Sequence, residues 1–191
     1  MRIALFALVA IASVLMFWST RRFFTAPDGK HQPGTRWLYG LTCLCGVVQI
    51  VDLVRVPSFS TPAAALALAM YTSGLVVWLL AVRVHWRRPP SLAFSRDAPE
   101  HLVTSGPYAV IRHPFYTSYL LGWFAAFVAT GTWTSLAAAL LMFGFFDRAA
   151  RQEEDKFKAS ELSHSYAQYR ARTGRYLPNP WKWLRAAEST R

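Results

Sequence analysis

The apolar residues of the chain fall into long runs that are separated by short polar stretches. Residues 1–18 and 38–53 each carry a single charge, while residues 63–82 and 115–146 carry none. A helix needs about 20 predominantly apolar residues to cross the hydrocarbon core of a bilayer. Because backbone groups in lipid must be paired within their own segment, such runs favour helices. The pattern therefore predicts an all-α integral membrane protein.

The run at residues 115–146 is too long for one span, and turn-forming residues interrupt it at 131–135. It predicts two spans joined as a helical hairpin, which gives about five spans in all. Residues 1–99 are predicted to form a scaffold of three spans. Residues 100–191 are predicted to hold the other two spans and, from Asp147 onward, a cytoplasmic tail with an interfacial helix. The two regions are expected to form one structural unit.

Composition and charge support this interpretation. Hydrophobic residues make up 53% of the chain and charged residues only 16%, which is unusual for a soluble domain. If there are five spans, every one of the 21 Lys and Arg residues except Arg2 and Arg55 lies on one side. The positive-inside rule then predicts an outer N-terminus and a cytoplasmic tail, as in a bacterial inner membrane protein. The net charge of +11 is expected to face anionic lipid rather than nucleic acid.

The start of the predicted first span resembles the apolar core of a signal peptide, but no small-residue cleavage site follows it. A retained first helix is therefore expected. Cys43 and Cys45 are two residues apart in the second predicted span, so they point in different directions. With no cluster of cysteine and histidine in the sequence, no metal site is predicted.

Candidate chemistry lies at the cytoplasmic start of the predicted fourth span. A glycine turn, two tyrosines, an arginine and a histidine occur within residues 106–116, and Pro114 suits a first helical turn. The N-terminus of that helix offers unpaired N–H groups to an anionic or polar ligand group. The hairpin should return the chain to the same side, where the acids Glu153, Glu154 and Asp155 follow. We therefore expect two charged clusters to converge at one mouth.

These residues resemble a known family. The pattern Gly-x-Tyr-x-x-x-Arg-His-Pro-x-Tyr, then Arg-x-Glu-Glu, then Tyr166-x-x-Tyr169 with a proline at Pro178, is similar to the isoprenylcysteine carboxyl methyltransferase family. That family belongs with the membrane phospholipid methyltransferases. The resemblance covers about residues 100–180. It implies transfer of a methyl group from S-adenosyl-L-methionine to a lipophilic small-molecule or lipid acceptor.

The resemblance also implies roles for individual residues. An arginine before the acids would orient an acceptor anion, and Arg148 and Arg151 are the two candidates. Glu154 is the first choice for fixing the cofactor, and it would serve as a base if the acceptor were an amine or thiol rather than a carboxylate. The residues expected to bind the cofactor are Glu100, His101, Leu102, Val103, Tyr108, Arg112, His113, Pro114, Tyr116, Glu153 and Glu154.

Departures from the family pattern leave alternatives open. Leu162 and Ser163 stand where the family usually has Phe-Gly, and the interval before them is one residue longer than usual. The acidic pair is therefore either Glu153–Glu154 or Glu154–Asp155. Two other functions are considered. One is an NADPH-dependent membrane sterol or steroid reductase, although such enzymes usually carry Asn where this chain has Phe115. The other is a non-catalytic relative of the methyltransferases.

Overall fold

The computed structural model describes residues 33–86 and 99–181 of the chain. No strand occurs in these two ranges, where one parallel bridge joins Ile111 to Gly174. The described part is therefore all-helical. In chain order its helices are α1 (Pro33–Arg55), α2 (Thr61–His85), a 3₁₀ helix (Gly106–Ala109), α3 (Pro114–Thr130), α4 (Trp133–Lys158) and α5 (Ser163–Arg172).

The first two helices are both long and apolar enough to cross a membrane. The hydroxyl oxygen of Ser60 caps α2 by accepting a hydrogen bond from the backbone N–H of Ala63. Only 22% of the most apolar window of α1 and 33% of that of α2 are buried. Large side chains such as Leu44, Val47 and Leu66 are exposed instead. The core helix of a soluble protein would bury such residues, so these outward faces suit a lipid environment.

A tight turn separates α3 from α4. Gly131 ends α3 with a left-handed φ of 65°, and its N–H donates to the carbonyl oxygen of Phe127. Glycine adopts this conformation without the steric cost of a Cβ atom. Thr132 then caps α4, because its side chain accepts a hydrogen bond from the N–H of Ser135. The two helices therefore form an antiparallel hairpin whose open end carries the start of α3 and the polar end of α4.

Helix α3 is the central element of the bundle. It contacts α2 along most of its length and also packs against α4, while α1 lies against α4 and α3. A Cβ atom at Gly74 of α2 would lie 2.9 Å from the carbonyl oxygen of Ser118 in α3. Glycine at this position therefore allows the two backbones to approach closely, as small residues do between membrane helices. The packing fixes where α3 begins, and the candidate site lies there.

A polar cluster ties the other end of the bundle together. The carboxylate oxygen Oδ2 of Asp52, near the end of α1, accepts hydrogen bonds of 2.7 Å from three hydroxyl groups. The donors are Thr132, Thr134 and Ser135, which surround the start of α4. A carboxylate is favourable beside a helix N-terminus. Asp52 thereby joins α1 to the α3–α4 turn.

The positions of the helices agree with four of the five predicted spans. The apolar runs at 38–53 and 63–82 lie in α1 and α2, and the run at 115–146 divides at the predicted break. The first predicted span, residues 1–18, lies outside the described residues. Membrane crossing itself, and the orientation of the chain, stay predictions.

The expected interfacial tail is organised differently from the prediction. No new helix starts at Asp147, because α4 continues without interruption to Lys158. Ala149, Ala150 and Glu154 stay buried along this extension, so packing holds it helical. A separate ten-residue helix, α5, follows and buries Tyr166 and Tyr169. The polar end of α4 is thus a rigid arm that carries the acids.

Candidate functional site

The site is built where the segment before α3 pairs with a segment after α5. We call residues 173–176 the C-terminal strap. Its backbone pairs with residues 110–113, since Arg112 N–H donates to the Gly174 carbonyl (2.9 Å) and His113 N–H to the Arg175 carbonyl (3.1 Å). Gly174 N–H donates in turn to the carbonyl of Val110 (3.1 Å). This pairing fixes the backbone from which Arg112 and His113 project.

Glu154 is the most enclosed charged group of the cluster, with a side chain that is only 2% exposed. Its oxygen Oε1 accepts from Nε of Arg112 (3.1 Å) and from Nε of Arg175 (3.1 Å), while Oε2 accepts from NH2 of Arg175 (2.8 Å). Burial by itself would raise the pKa of this carboxyl. Hydrogen bonds from His113 and Arg175 and the charge of Arg112 outweigh burial and lower the pKa. Glu154 is therefore a fully ionised anchor whose oxygens are already engaged.

The imidazole of His113 lies between the two acids of the pair. Its Nε2 is 3.3 Å from Oε1 of Glu154, and its Nδ1 is 3.5 Å from Oε2 of Glu153. Burial alone would lower the pKa of His113, but the hydrogen bonds and charges of both acids raise it. Both ring nitrogens can donate only in the imidazolium form. His113 thus lies between Glu153 and Glu154, and both acids favour its imidazolium form.

Glu153 differs from its neighbour because 33% of its side chain is exposed. The hydroxyl of Tyr116 donates a short hydrogen bond to its Oε1. The ring of Tyr116 stacks on His113 at 5.5 Å and on Phe146 at 5.3 Å. An aromatic column therefore runs from the charged cluster into the apolar core between α3 and α4. Of the two acids, Glu153 is the one that an entering molecule can contact.

Two further residues complete the cluster and were missed by the sequence interpretation. Arg175 donates through NH1 to Oδ1 of Asp147 (3.0 Å), and the hydroxyl of Tyr176 donates to the same oxygen (3.2 Å). Burial would raise the pKa of Asp147, but bonds from Arg151 and Tyr176 and the charges of Arg151 and Arg175 lower it. In the sequence Arg175 is one of many basic residues in the tail, and only the glycine before it indicates a tight turn at this place.

The predicted residues separate into two groups in the structure. Arg112, His113, Tyr116, Glu153 and Glu154 come together, and Pro114 is buried as the first residue of α3. Asp155, the alternative member of the acidic pair, is 67% exposed and pairs with Lys158 instead. The geometry therefore favours Glu153–Glu154 as the pair.

The residues before the 3₁₀ helix lie further from the cluster. Glu100 and His101 are exposed, and Leu102 and Val103 are half-buried. Within the described ranges no hydrogen bond or ion pair joins these four to the cluster. Tyr108 follows in the 3₁₀ helix, where its backbone carbonyl accepts from the hydroxyl of Tyr169 (2.8 Å). Burial and the charge of Glu153 both raise the pKa of Tyr108.

The two predicted acceptor-binding arginines lie on the polar arm of α4. Arg148 is exposed. The side chain of Arg151 is 66% exposed, and its Nε donates to Oδ2 of Asp147 at 2.6 Å. Both side chains are therefore exposed, unlike the buried anchor Glu154. They are accessible to a charged group that approaches along the outer surface of α4.

The side chains of the cluster are of the kinds that bind organic molecules. In residues 33–86 and 99–181, no group of three or more His, Cys, Asp and Glu side chains is placed to hold a metal ion. What the cluster does offer is a partly exposed carboxylate, an imidazole held between two acids, and stacked aromatic rings. Such groups can hold a polar molecule that carries both cationic and ring parts.

Comparison with known proteins identifies a family and a relative of the chain. The family model described as phospholipid methyltransferase matches residues 60–163. The matched range includes α2, which the motif resemblance does not reach, and it ends before the C-terminal strap. Over 77 residues, 40% of the chain, the sequence is 38% identical to the cobalt-zinc-cadmium resistance protein CzcN of Cupriavidus metallidurans. That match covers only 35% of the length of the relative.

Proposed function

The chain belongs to the phospholipid methyltransferase family, and on that basis we propose that it transfers a methyl group from S-adenosyl-L-methionine to a lipophilic acceptor at the membrane. Family membership implies a methyltransferase that acts on a lipid-type substrate. The observation that carries the finer proposal is the cluster of His113, Tyr116 and Glu153 at the mouth of the α3–α4 hairpin. It combines an accessible carboxylate with stacked rings beside an apolar core.

The residues present fit such a cofactor. S-adenosyl-L-methionine, when bound, supplies an electrophilic methyl group carried on a positively charged sulfur. Glu153 keeps part of its carboxylate exposed and would hold the amino or hydroxyl groups of the cofactor. The half-buried ring of Tyr176, whose hydroxyl donates to Asp147, belongs to the same cluster and suits a cationic or planar group. Glu154 is less suited to this role, because its side chain is only 2% exposed and three donors from Arg112 and Arg175 occupy its oxygens.

The contribution of the protein to methyl transfer would be alignment and exclusion of water. Positioning of reacting groups can contribute about 7 to 11 kcal/mol toward a barrier. The anchor Glu154 holds Arg112, His113 and Arg175 in fixed places, so the accessible Glu153 has little freedom to move. For an amine or thiol acceptor, Glu153 would be the acid that accepts a proton, since it is the more exposed of the two. For a carboxylate acceptor no base is required.

The acceptor would approach from the bilayer. Large apolar side chains of α4, including Leu140, Leu141 and Phe143, are exposed on the helix that leads to the cluster. Arg148 and Arg151 follow directly where the apolar part of α4 ends, and both are exposed. A lipid headgroup or other anion at that boundary would meet these two arginines. We therefore assign them to acceptor orientation, with the acceptor being a carboxylate, a thiol or an amine.

The proposed placement puts the cluster on the cytoplasmic side of a bacterial inner membrane. Tryptophan is enriched at membrane interfaces. Trp37 at the start of α1 and Trp86 at the end of α2 are highly exposed at the same end of the bundle as the cluster, and Trp133 is exposed at the other end. This distribution supports two interfacial levels with the apolar helices between them. The outer N-terminus and the five spans belong to the same proposal.

Calorimetric titration of the detergent-purified chain with S-adenosylhomocysteine tests the proposal. We expect binding by the native chain, a loss of at least about tenfold in affinity in Glu153→Gln, and no change in Asp155→Asn. Asp155 is the matched control because it is an exposed acid two residues along the same helix. A folded native chain that does not bind S-adenosylhomocysteine would rule out the methyltransferase activity. Binding of NADPH instead would favour a reductase, and binding of neither would favour a non-catalytic relative.

A further inference from the structure

Arg175 makes an unusual bridge between two acids of one helix. Asp147 and Glu154 are seven residues apart on α4, which is close to two helical turns, so they share a face. The guanidinium of Arg175 reaches both: NH1 is 3.0 Å from Asp147 Oδ1, and Nε and NH2 are 3.1 and 2.8 Å from the two oxygens of Glu154. A planar fork of donors can make such a contact, whereas the single ammonium of lysine cannot.

The backbone of Arg175 is attached to the other half of the site. Its carbonyl accepts the N–H of His113 (3.1 Å), and the carbonyl of the preceding Gly174 accepts the N–H of Arg112 (2.9 Å). Arg175 therefore contacts the acids of α4 with its side chain and the segment before α3 with its main chain. Arg112 also contacts Glu154, but its second donor goes to the carbonyl of Thr173 (2.6 Å) and not to another acid.

The neighbours of Arg175 hold the bridge in place. The hydroxyl of Thr117 in α3 donates to the Tyr176 carbonyl (2.9 Å), and the hydroxyl of Tyr176 donates to Asp147 (3.2 Å). A Cβ atom at Gly174 would lie 1.7 Å from the carbonyl oxygen of Leu177, so the turn is too tight for any side chain there. These contacts hold the strap where the side chain of Arg175 reaches α4.

We propose that Arg175 is a positioning residue of the site, which holds Glu154 against His113 and thereby directs Glu153 toward the ligand. The role of Glu153 in this inference rests on the proposed function. The placement of Glu154 does not, because it follows from contacts among the side chains of the chain itself. It also follows that a segment outside the range matched by the family model is part of the site.

The test uses the full chain with Arg175→Gln and Arg175→Lys, and with Arg172→Gln as the matched control. Arg172 is an exposed arginine three residues earlier, at the end of α5. Three quantities are measured: the affinity for S-adenosylhomocysteine, the melting temperature, and the pKa of His113 by NMR of histidine-labelled protein in detergent. The resonance of His113 is identified by its absence in His113→Asn.

The pKa of His113 separates positioning from a simple charge effect. If Arg175 holds Glu154 at Nε2 of His113, its loss releases the carboxylate, and the pKa of His113 falls. If the geometry survived, the loss of a nearby positive charge would instead raise this pKa. We expect a fall in Arg175→Gln, a smaller fall in Arg175→Lys and no change in Arg172→Gln. A rise or no change in the Arg175 variants would overturn the inference. If Arg175→Gln does not fold, Arg175→Lys decides by the same measurement.

Ligand binding then distinguishes this inference from the proposed function. With positioning, Arg175→Gln loses at least about tenfold in affinity for S-adenosylhomocysteine, as expected when bonds to charged groups are lost. Unchanged affinity beside a native chain that binds would refute positioning and leave the proposed function standing. If the native chain does not bind but the pKa of His113 falls in the variant, the proposed function fails and the positioning of Glu154 is retained.

Discussion

Replacing Glu154 by glutamine removes the one charge that three cationic side chains share. The change keeps the shape of the side chain and deletes its negative charge. Arg112, whose side chain is 7% exposed, would then be a buried cation without its carboxylate. The amide group would also direct N–H donors toward the donors of Arg175. We therefore expect Glu154→Gln to be among the most destabilising single substitutions in the described part of the chain.

The magnitude follows from burial rather than from the number of contacts. Removing one partner from a buried ion pair costs about 3 to 5 kcal/mol, because the remaining charge is left desolvated. The contacts of Arg112, His113 and Arg175 share one carboxylate, so their energies do not add. Arg175 is 27% exposed, and solvent screens part of its contribution. We expect a loss of about 3 to 5 kcal/mol in the free energy of unfolding.

The loss should depend on pH in a defined direction. The pKa of Glu154 is lower in the folded chain than in the unfolded chain. The stabilisation from its charge is therefore fully present above the unfolded value of about 4.3 and is lost as the pH falls through the lower folded pKa. The difference between the native chain and Glu154→Gln should therefore shrink in acid.

The assay is reversible unfolding in mixed micelles, followed by tryptophan fluorescence or circular dichroism. Asp155→Asn is the control, because its pair with Lys158 is exposed and its removal should change stability by no more than about 0.5 kcal/mol. The reasoning is refuted if Glu154→Gln unfolds within about 1 kcal/mol of the native chain, since breaking a buried ion pair cannot cost so little.

Three further predictions concern other parts of the molecule. Gly174→Ala should release the strap, because its Cβ would lie 1.7 Å from the carbonyl oxygen of Leu177, and limited proteolysis after residue 172 should become faster. Gly144→Ala, whose Cβ would meet nothing within 4 Å, should leave the rate of proteolysis unchanged. Asp52→Ala should lower the free energy of unfolding by about 1 to 3 kcal/mol, since three hydroxyl groups lose their acceptor, and Asp52→Asn should lower it less. Equal stability of Asp52→Ala and the native chain would contradict this expectation. The pKa of His113 is raised on folding, so the stability that its proton contributes is present below about pH 6.5 and is lost as the pH rises through the folded pKa. The difference in the free energy of unfolding between the native chain and His113→Asn should therefore decrease toward alkaline pH.

The sequence predicted the helices of the described part well, because lipid-compatible helices require long apolar runs. The composition of residues 131–135 predicted the turn of the hairpin, and Gly131 adopts the left-handed conformation there. The convergence of Arg112 and His113 with the acids also followed from topology, since a two-helix hairpin must return to the side where it began. These features depend on local pattern and chain direction, which a single sequence displays.

The strap could not be predicted in the same way. Its pairing with residues 110–113 is a single parallel bridge, and so short a contact leaves no periodicity in the sequence. Arg175 resembles the other basic residues of the tail until its contact with Asp147 and Glu154 is seen. The roles within the acidic pair were also hidden, because adjacent acids look alike in sequence. Only their different burial separates the engaged Glu154 from the accessible Glu153.

The position of the strap in the chain separates it from the helices that carry the rest of the site. Residues 173–176 follow α3, α4 and α5, so truncation before the strap would leave Glu154 with Arg112 and His113 but without Arg175. The carboxylate would then lack the only partner that contacts both of its oxygens among the described residues. A chain that ended after α5 would thus keep all five named helices and still hold an unfinished site.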